Sequence, residues 1–192
     1  MKALGIIRTE HRSLAAVLYT LQALARGARE GRLAADYALL RQIVDYLESF
    51  HQRFHHPKED GHLFKALRAR TREARGALAE LEREHSKGDA QLADLREAID
   101  RAQSGAGGVQ ELAAEVERYA DFHWRHMRTE EDVIMPLAER VLTEEDWNGI
   151  DAAFADNDDP VFVRARREEY RRLLAAIAEH APPPLGAGGR RA

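Results

Sequence analysis

The sequence contains no cysteine, which excludes disulfide bonds, thiolate metal ligands, cysteine-bound iron–sulfur clusters and cysteine nucleophiles. It has no apolar run of membrane-spanning length, and its first residues lack the apolar core of a signal peptide. It also has no excess of basic residues, since the formal net charge is −4. These absences predict a cytoplasmic protein that binds neither nucleic acid nor a membrane.

Glycine and proline are few and clustered, with 13 and 6 residues among 192, so long stretches of the chain are uninterrupted. Hydrophobic residues make up 44% of the sequence and charged residues 32%, a balance typical of soluble helical proteins. Apolar residues recur at helical spacing almost throughout, and no segment alternates convincingly with the period of a β-strand. The sequence therefore predicts an all-α domain over residues 1–180.

Four long helices are expected to form an up-down four-helix bundle. The second helix is predicted to begin near Ala34, and Pro57 is expected to kink or restart it, because proline lacks the N–H group and clashes with the preceding turn. Thr71 is a candidate N-cap for the third helix. A glycine-rich loop at residues 104–108 separates the third helix from the fourth.

Two appended C-terminal helices are expected after the bundle. Thr143 and Asp146 have the spacing of a capping box and predict the start of the first. An Asn-Asp-Asp-Pro loop precedes the second, which is expected to run to about Glu179. Residues 181–192, rich in proline, glycine and arginine, are expected to be a disordered tail.

Six polar residues interrupt the apolar stripes of the four long helices, and they follow a repeat. Each half of the repeat is a single histidine followed, after a similar gap, by a His-x3-Glu pair. Residues i and i+4 of a helix share a face, so each pair directs one imidazole and one carboxylate to the same point. The six residues are His11, His55, Glu59, His85, His126 and Glu130.

A single histidine on an apolar stripe is more often a core histidine with satisfied hydrogen bonds than a metal ligand. Four of them at comparable depth on four helices, together with two carboxylates, favour a metal centre instead. Imidazole and carboxylate suit iron, manganese or zinc, and iron is favoured because the site is carboxylate-rich and lacks thiolate. The expected arrangement has two metals, one held by His11 and His55, one by His85 and His126, with Glu59 and Glu130 as bridges.

The chain resembles the hemerythrin-like HHE cation-binding domains over about residues 1–180. The resemblance rests on Thr9-Glu10-His11, on Phe-His-His-Pro-Lys-Glu-Asp at residues 54–60, on Glu84-His85 and on residues 126–136. It implies an up-down bundle with two non-haem iron ions joined by an oxo or hydroxo bridge. It also implies a small ligand, namely O2, NO or peroxide.

Two positions depart from the oxygen-carrying hemerythrins. Those proteins have a further histidine where this chain has Asp89, and His-x4-Asp where it has the His126-x3-Glu130 pair. The ligand set is closer to that of the di-iron proteins that repair iron–sulfur clusters, but their usual cysteine-bearing N-terminal domain is absent here. Ligation by Asp89, His51 or His123 stays open, and the two histidines are expected to be neighbours of the site.

Two functions are compatible with these residues. The first is a non-haem di-iron protein that binds or reacts with O2, NO or peroxide, in oxidative or nitrosative stress or in the handling of iron centres. The second is a non-enzymatic oxygen or iron sensor, or an oxygen-binding and storage module. Nothing in the sequence separates the two functions or identifies a protein partner.

Overall fold

The computed structural model describes residues 1–155 and Ala175, and this part of the chain contains helices and no strand. Four long helical rods, α1 to α4, pack as a bundle in which each rod contacts its neighbours in sequence and α4 closes onto α1. The all-α prediction and the four-helix bundle are thus confirmed. The bounds are Lys2–Arg29 for α1, residues 37–70 for α2, Arg75–Ser104 for α3, residues 109–141 for α4 and Glu144–Ala155 for the appended helix α5.

The rods α2 and α4 change helical pitch along their length. Both contain π-helical turns, which add a residue to the turn and often occur at functional sites. In both rods a π-helical segment begins at the glutamate of the His-x3-Glu pair. The segments of α2 are Tyr37–Tyr46 (α), Leu47–His55 (π), His56–Lys58 (α), Glu59–Phe64 (π) and Lys65–Arg70 (α); those of α4 are Val109–Thr129 (α), Glu130–Ile134 (π) and Met135–Val141 (α).

Pro57 does not break α2. His56 and Glu59, on either side of it, both keep right-handed helical backbone angles. Proline removes one N–H donor from the helix, and the change between π- and α-helical turns on both sides accommodates that loss. The expected interruption at Pro57 is therefore replaced by a change of pitch within one continuous rod.

The start of α2 lies at Tyr37, three residues later than predicted. The carboxylate of Asp36 accepts a hydrogen bond from the backbone N–H of Leu39 at 2.9 Å and caps the first turn. An aspartate is a strong N-cap because its side chain satisfies one of the unpaired N–H groups at the helix end. The earlier apolar residue Leu33 is exposed and lies before the cap.

Thr71 is not the N-cap of α3, which begins at Arg75. Its backbone is extended, and its hydroxyl accepts a hydrogen bond from the N–H of Glu73 within the connecting turn.

The capping box of α5 is confirmed. The N–H of Thr143 donates to the carboxylate of Asp146 at 2.9 Å, and the N–H of Asp146 donates to the hydroxyl of Thr143 at 3.3 Å.

The bundle core consists of two hydrophobic clusters. Cluster A fills one end and contains Leu18, Leu40, Leu95 and Val116. Cluster B fills the other end and contains Leu4, Phe64, Leu78 and Ile134, together with Phe154 of α5. The order of these residues along each helix shows that α2 and α4 run from cluster A to cluster B, while α1 and α3 run the opposite way.

Three predictions fall partly or wholly outside the described residues. The second appended helix and the tail at 181–192 lie there, so both stay predictions, as does the domain boundary at residue 180. Among the described helices, none is long and apolar enough to cross a membrane.

Candidate metal centre

A polar layer separates the two hydrophobic clusters, and all six residues singled out by the sequence lie in it. Each is at most 4% exposed, although all are polar or ionisable. Burying such groups is costly unless they are paired or bind a metal. Every long helix contributes: His11 from α1, His55 and Glu59 from α2, His85 from α3, His126 and Glu130 from α4.

The carboxylate of Glu59 lies between two pairs of imidazoles. Its Oε1 is 3.3 Å from Nε2 of His55 and 4.0 Å from Nε2 of His11. Its Oε2 is 3.7 Å from Nε2 of His85. One oxygen therefore faces the first imidazole pair, His11 and His55, and the other faces the second pair, to which His85 belongs.

Glu130 has the same arrangement from the opposite rod. Its Oε2 is 3.2 Å from Nε2 of His11, in the first imidazole pair. Its Oε1 is 3.4 Å from Nε2 of His126 and 3.9 Å from Nε2 of His85, the second imidazole pair. Each glutamate thus offers one oxygen to each pair, which is the geometry of a carboxylate that bridges two ions.

Three overlapping donor groups result, and in each the potential ligand atoms lie within 4.8 Å of one another. Two of them contain both glutamates and add one imidazole pair each, and the third consists of His56, His85 and His126. Nε2 of His11, Nε2 of His55 and all four glutamate oxygens are buried without a hydrogen-bond partner within the described part of the chain. Unpaired buried atoms of this kind are stabilised by a metal ion, so these residues fit a cation site.

Each of the four imidazoles also binds a second carboxylate through its other nitrogen. In the His-x3-Glu pairs, Nδ1 of His55 donates to Glu10 at 2.7 Å, and Nδ1 of His126 donates to Glu84 at 2.8 Å. Because a carboxylate only accepts, Nδ1 carries the proton and Nε2 of the neutral ring keeps its lone pair for a metal. Histidines that bind metals in proteins usually donate their other ring N–H to a carboxylate in this way.

The two single histidines have outer carboxylates as well. Nδ1 of His11 donates to Glu131 at 2.8 Å, and Nδ1 of His85 donates to Asp60 at 2.9 Å. These four outer carboxylates were not predicted from the sequence, although their positions repeat. In each half an acid precedes the single histidine and another follows the bridging glutamate, so the repeat extends from six residues to ten.

Electrostatics within the layer favour protonated imidazoles when only protons are bound. Burial lowers the pKa of the His126 imidazole, but the charge of Glu130 and the hydrogen bonds to Glu130 and Glu84 together outweigh burial and raise the pKa to about 10. Burial also lowers the pKa of His55, but the charges of Glu59 and Glu10 and the hydrogen bonds to them together outweigh burial and hold this pKa well above its ordinary value. Burial raises the pKa of Glu130, but attraction to His126 and His11 brings it well below its usual value. Metal binding must displace these imidazole protons, so affinity should increase with pH.

Asp89 does not reach the layer. It is exposed on α3, while the preceding Gly88 is buried against the side chain of Gln52. The open alternative that Asp89 ligates a metal is therefore excluded by its position. His62 is exposed as well, whereas His51, His56 and His123 are buried beside the two imidazole pairs.

A family model of the hemerythrin HHE cation-binding domain matches residues 2–138, which is more than half of the chain. The chain belongs to this family. No match is found among the curated proteins or among the solved structures. Family and donor groups together define a cation-binding helical bundle.

We expect the outer carboxylates to position the imidazoles, and Glu84 offers the test. Glu84→Ala removes the acceptor of His126 Nδ1 and should weaken metal binding roughly 10- to 100-fold, the usual effect of losing such a partner. Glu84→Gln keeps an acceptor oxygen and should lose less. The affinities are measured by competition with a chelator.

The matched control is Glu80→Ala, one turn earlier on α3, where the exposed side chain pairs only with Arg83 among the described residues. It should bind metal like the unmodified protein. Equal affinities for the Glu84→Ala and Glu80→Ala variants would show that the outer carboxylate does not position His126.

Proposed function

We propose that this protein is a non-haem di-iron protein that binds or reacts with O2, NO or peroxide, in oxidative or nitrosative stress or in the handling of iron centres. The observation that carries the proposal is the position of Glu59 and Glu130, each with one oxygen toward each imidazole pair. A site for one ion would not need both oxygens of both glutamates. Two ions held close together by two shared carboxylates would use all four.

In this proposal each ion takes two nitrogens and two carboxylate oxygens from the protein. His11 and His55 hold the first ion, and His85 and His126 hold the second. Iron is proposed because imidazole with carboxylate, and no thiolate, is the donor set of non-haem iron proteins. Two iron ions supply the electrons that a small oxidant takes up.

The protein's own contribution is to hold the ligands rigid and to keep water away. Clusters A and B cover the polar layer on both sides along the bundle axis. The outer carboxylates fix which nitrogen of each imidazole faces inward. Four protein ligands per ion leave coordination positions for a small ligand, since iron commonly takes six. We further expect, as part of the proposal, that neither nucleic acid nor a membrane takes part and that the protein is cytoplasmic.

The proposal predicts how the iron-loaded, chemically reduced protein responds to oxidants. It should be oxidised irreversibly by O2 to the diferric form, and it should consume peroxide or bind NO. No additional histidine ligand comes from α3, where Asp89 is exposed, so the centre should be more reactive than that of a reversible carrier. Absorption spectra recorded over repeated cycles of reduction and exposure measure this.

The Glu59→Ala variant, treated identically, is the control for iron bound elsewhere. A stable oxygen adduct that forms and dissociates over many cycles would contradict the proposed reactivity and support the storage function instead. If the spectrum responds to none of O2, peroxide and NO, both the proposed reactivity and the storage function are contradicted.

A further inference from the structure

One polar side chain joins α2 to α3 beside the candidate metal centre. Gln52 lies in the π-helical segment Leu47–His55 of α2, and its amide nitrogen donates to the backbone oxygen of His85 on α3 at 2.9 Å. A backbone oxygen only accepts, so this contact determines which end of the amide faces α3. Gln52 thus connects α2 directly to the main chain of a predicted metal ligand.

Gly88 provides the space for the Gln52 side chain. It is buried on α3, three residues after His85, and a Cβ atom at this position would overlap the amide group of Gln52. Its backbone is helical, without the positive φ that favours glycine, and glycine destabilises a helix interior relative to alanine. The close approach of Gln52 therefore accounts for glycine at this position, and the backbone conformation does not.

Gln52 also contacts a ring that packs on the imidazole of His85. Its amide oxygen lies 3.2 Å from Nδ1 of His56. The rings of His56 and His85 stack with their centroids 4.0 Å apart and with an angle of 13° between their planes. One side chain therefore contacts both the main chain of His85 and the ring stacked on its imidazole.

His11, the single histidine of the other half, has no contact of this kind. Its ring meets that of His55 edge-on, with the centroids 5.3 Å apart and an angle of 65° between the planes. Within residues 1–155, the contact of Nδ1 with Glu131 is the only hydrogen bond that joins His11 to another helix. The two halves of the repeat are thus alike in their predicted ligands and different in what fixes the single histidine.

We propose that Gln52 is a positioning residue for His85 and that the second ion, held by His85 and His126, depends on it. A metal site requires its ligands within about 0.5 Å of their productive positions. The hydrogen bond to the His85 backbone fixes the height of α3 against α2, and Gly88 keeps the space for it open. The inference rests on the two-ion site of the proposed function, and it adds an asymmetry that the repeat in the sequence does not contain.

Gly88→Ala displaces Gln52 without removing any predicted ligand. The added Cβ meets the end of a flexible side chain, so the helix should form as before, and the metal-free protein should melt at the same temperature or slightly higher. Affinity for the second ion should fall about tenfold, the lower end of what loss of an outer partner costs. Affinity for the first ion should change little. A merely structural role of Gly88 would not separate the two ions in this way.

Zinc is the probe, since it is redox-inert. Chelator competition measures the affinity for each ion, and nitrogen-15 NMR of labelled histidine shows which imidazole pair fills at each step. The matched control is Gly76→Ala, on the same helix, where a Cβ atom would meet nothing within 4 Å. It should leave both affinities unchanged.

A double variant tests whether Gly88 acts through Gln52. Gln52→Ala alone should weaken the second ion by about the same factor of ten. In that background Gly88→Ala should have no further effect on either ion, because the side chain that it displaces is absent. The inference is overturned if Gly88→Ala weakens both ions equally, weakens neither, or weakens the second ion just as much when Gln52 has already been removed.

The outcomes distinguish this inference from the proposed function. If Gly88→Ala leaves both affinities unchanged while the unmodified protein binds two ions, the positioning role is wrong and the two-ion site stands. If the unmodified protein binds a single ion at His85 and His126, and Gly88→Ala weakens it, the two-ion site is wrong and the positioning role stands.

Discussion

Replacing Glu130 with alanine is expected to remove metal from both halves of the centre at once. Its two oxygens face different imidazole pairs, at 3.2 Å from His11 and 3.4 Å from His126, so neither ion would keep its full ligand set. Loss of an outer partner alone costs roughly 10- to 100-fold in affinity, so loss of a bridging ligand should exceed about 100-fold for both ions. Glu59→Ala should behave in the same way.

Single-histidine variants provide the contrast. His11→Ala should weaken mainly the first ion and His85→Ala mainly the second. The matched control is Glu139→Ala, also on α4, whose exposed side chain pairs with Arg8 at the surface. Metal content and chelator competition measure all of them. A Glu130→Ala protein that keeps one ion at unchanged affinity would contradict bridging by Glu130. The assignment of His11 as a ligand would be contradicted if His51→Ala or His123→Ala lost more metal than His11→Ala.

Removing the metal is expected to lower the melting temperature by roughly 5–11 °C. A ligand present at 100 times its dissociation constant stabilises the folded state by about 2.7 kcal/mol, and for a protein of this size each kcal/mol corresponds to about 2–4 °C. The physical reason is that six polar side chains sit between two hydrophobic clusters, and a metal satisfies atoms that are otherwise unpaired. Thermal unfolding of metal-loaded and chelator-treated protein measures the difference.

This difference should widen as the pH rises above neutrality. In the metal-free protein the raised pKa of His126, about 10, contributes stability that is fully present below the unfolded value of about 6.5. That contribution is lost as the pH rises through about 10, while metal binding becomes stronger because fewer protons compete. Equal melting temperatures with and without metal at every pH would place the bound metal outside the buried layer.

Helical periodicity and the repeated His-x3-Glu spacing were sufficient to predict the bundle and to select six residues that the structure brings together. Both patterns depend on one helix at a time, because residues one turn apart share a face whatever the neighbouring helices do. The role of the six as ligands stays a prediction, although their mutual geometry supports it.

The outer carboxylates illustrate what could not be predicted. Glu10 and Glu84 each lie next to a predicted ligand in sequence, yet each binds an imidazole on a different helix. Such contacts depend on how the rods are rotated and offset in the bundle, and the sequence of one helix does not determine this. Their repetition in both halves was the only available signal.

The burial of His56 beside His55 has a different cause. A uniform α-helical rotation of 100° per residue turns adjacent side chains well apart. The π-helical turns of α2 rotate less per residue, so neighbouring side chains can face the same core. A kink or restart at Pro57 was expected from the sequence instead of these π-helical turns, so the burial of His56 was not predicted.

The most direct test of the account is the number and magnetic state of iron ions in protein produced with ample iron. Elemental analysis combined with Mössbauer spectroscopy measures both. We predict two iron ions per chain that form one exchange-coupled pair in the oxidised protein, because Glu59 and Glu130 hold them close together. One iron per chain, two magnetically independent irons, or stoichiometric zinc in place of iron would contradict the di-iron centre.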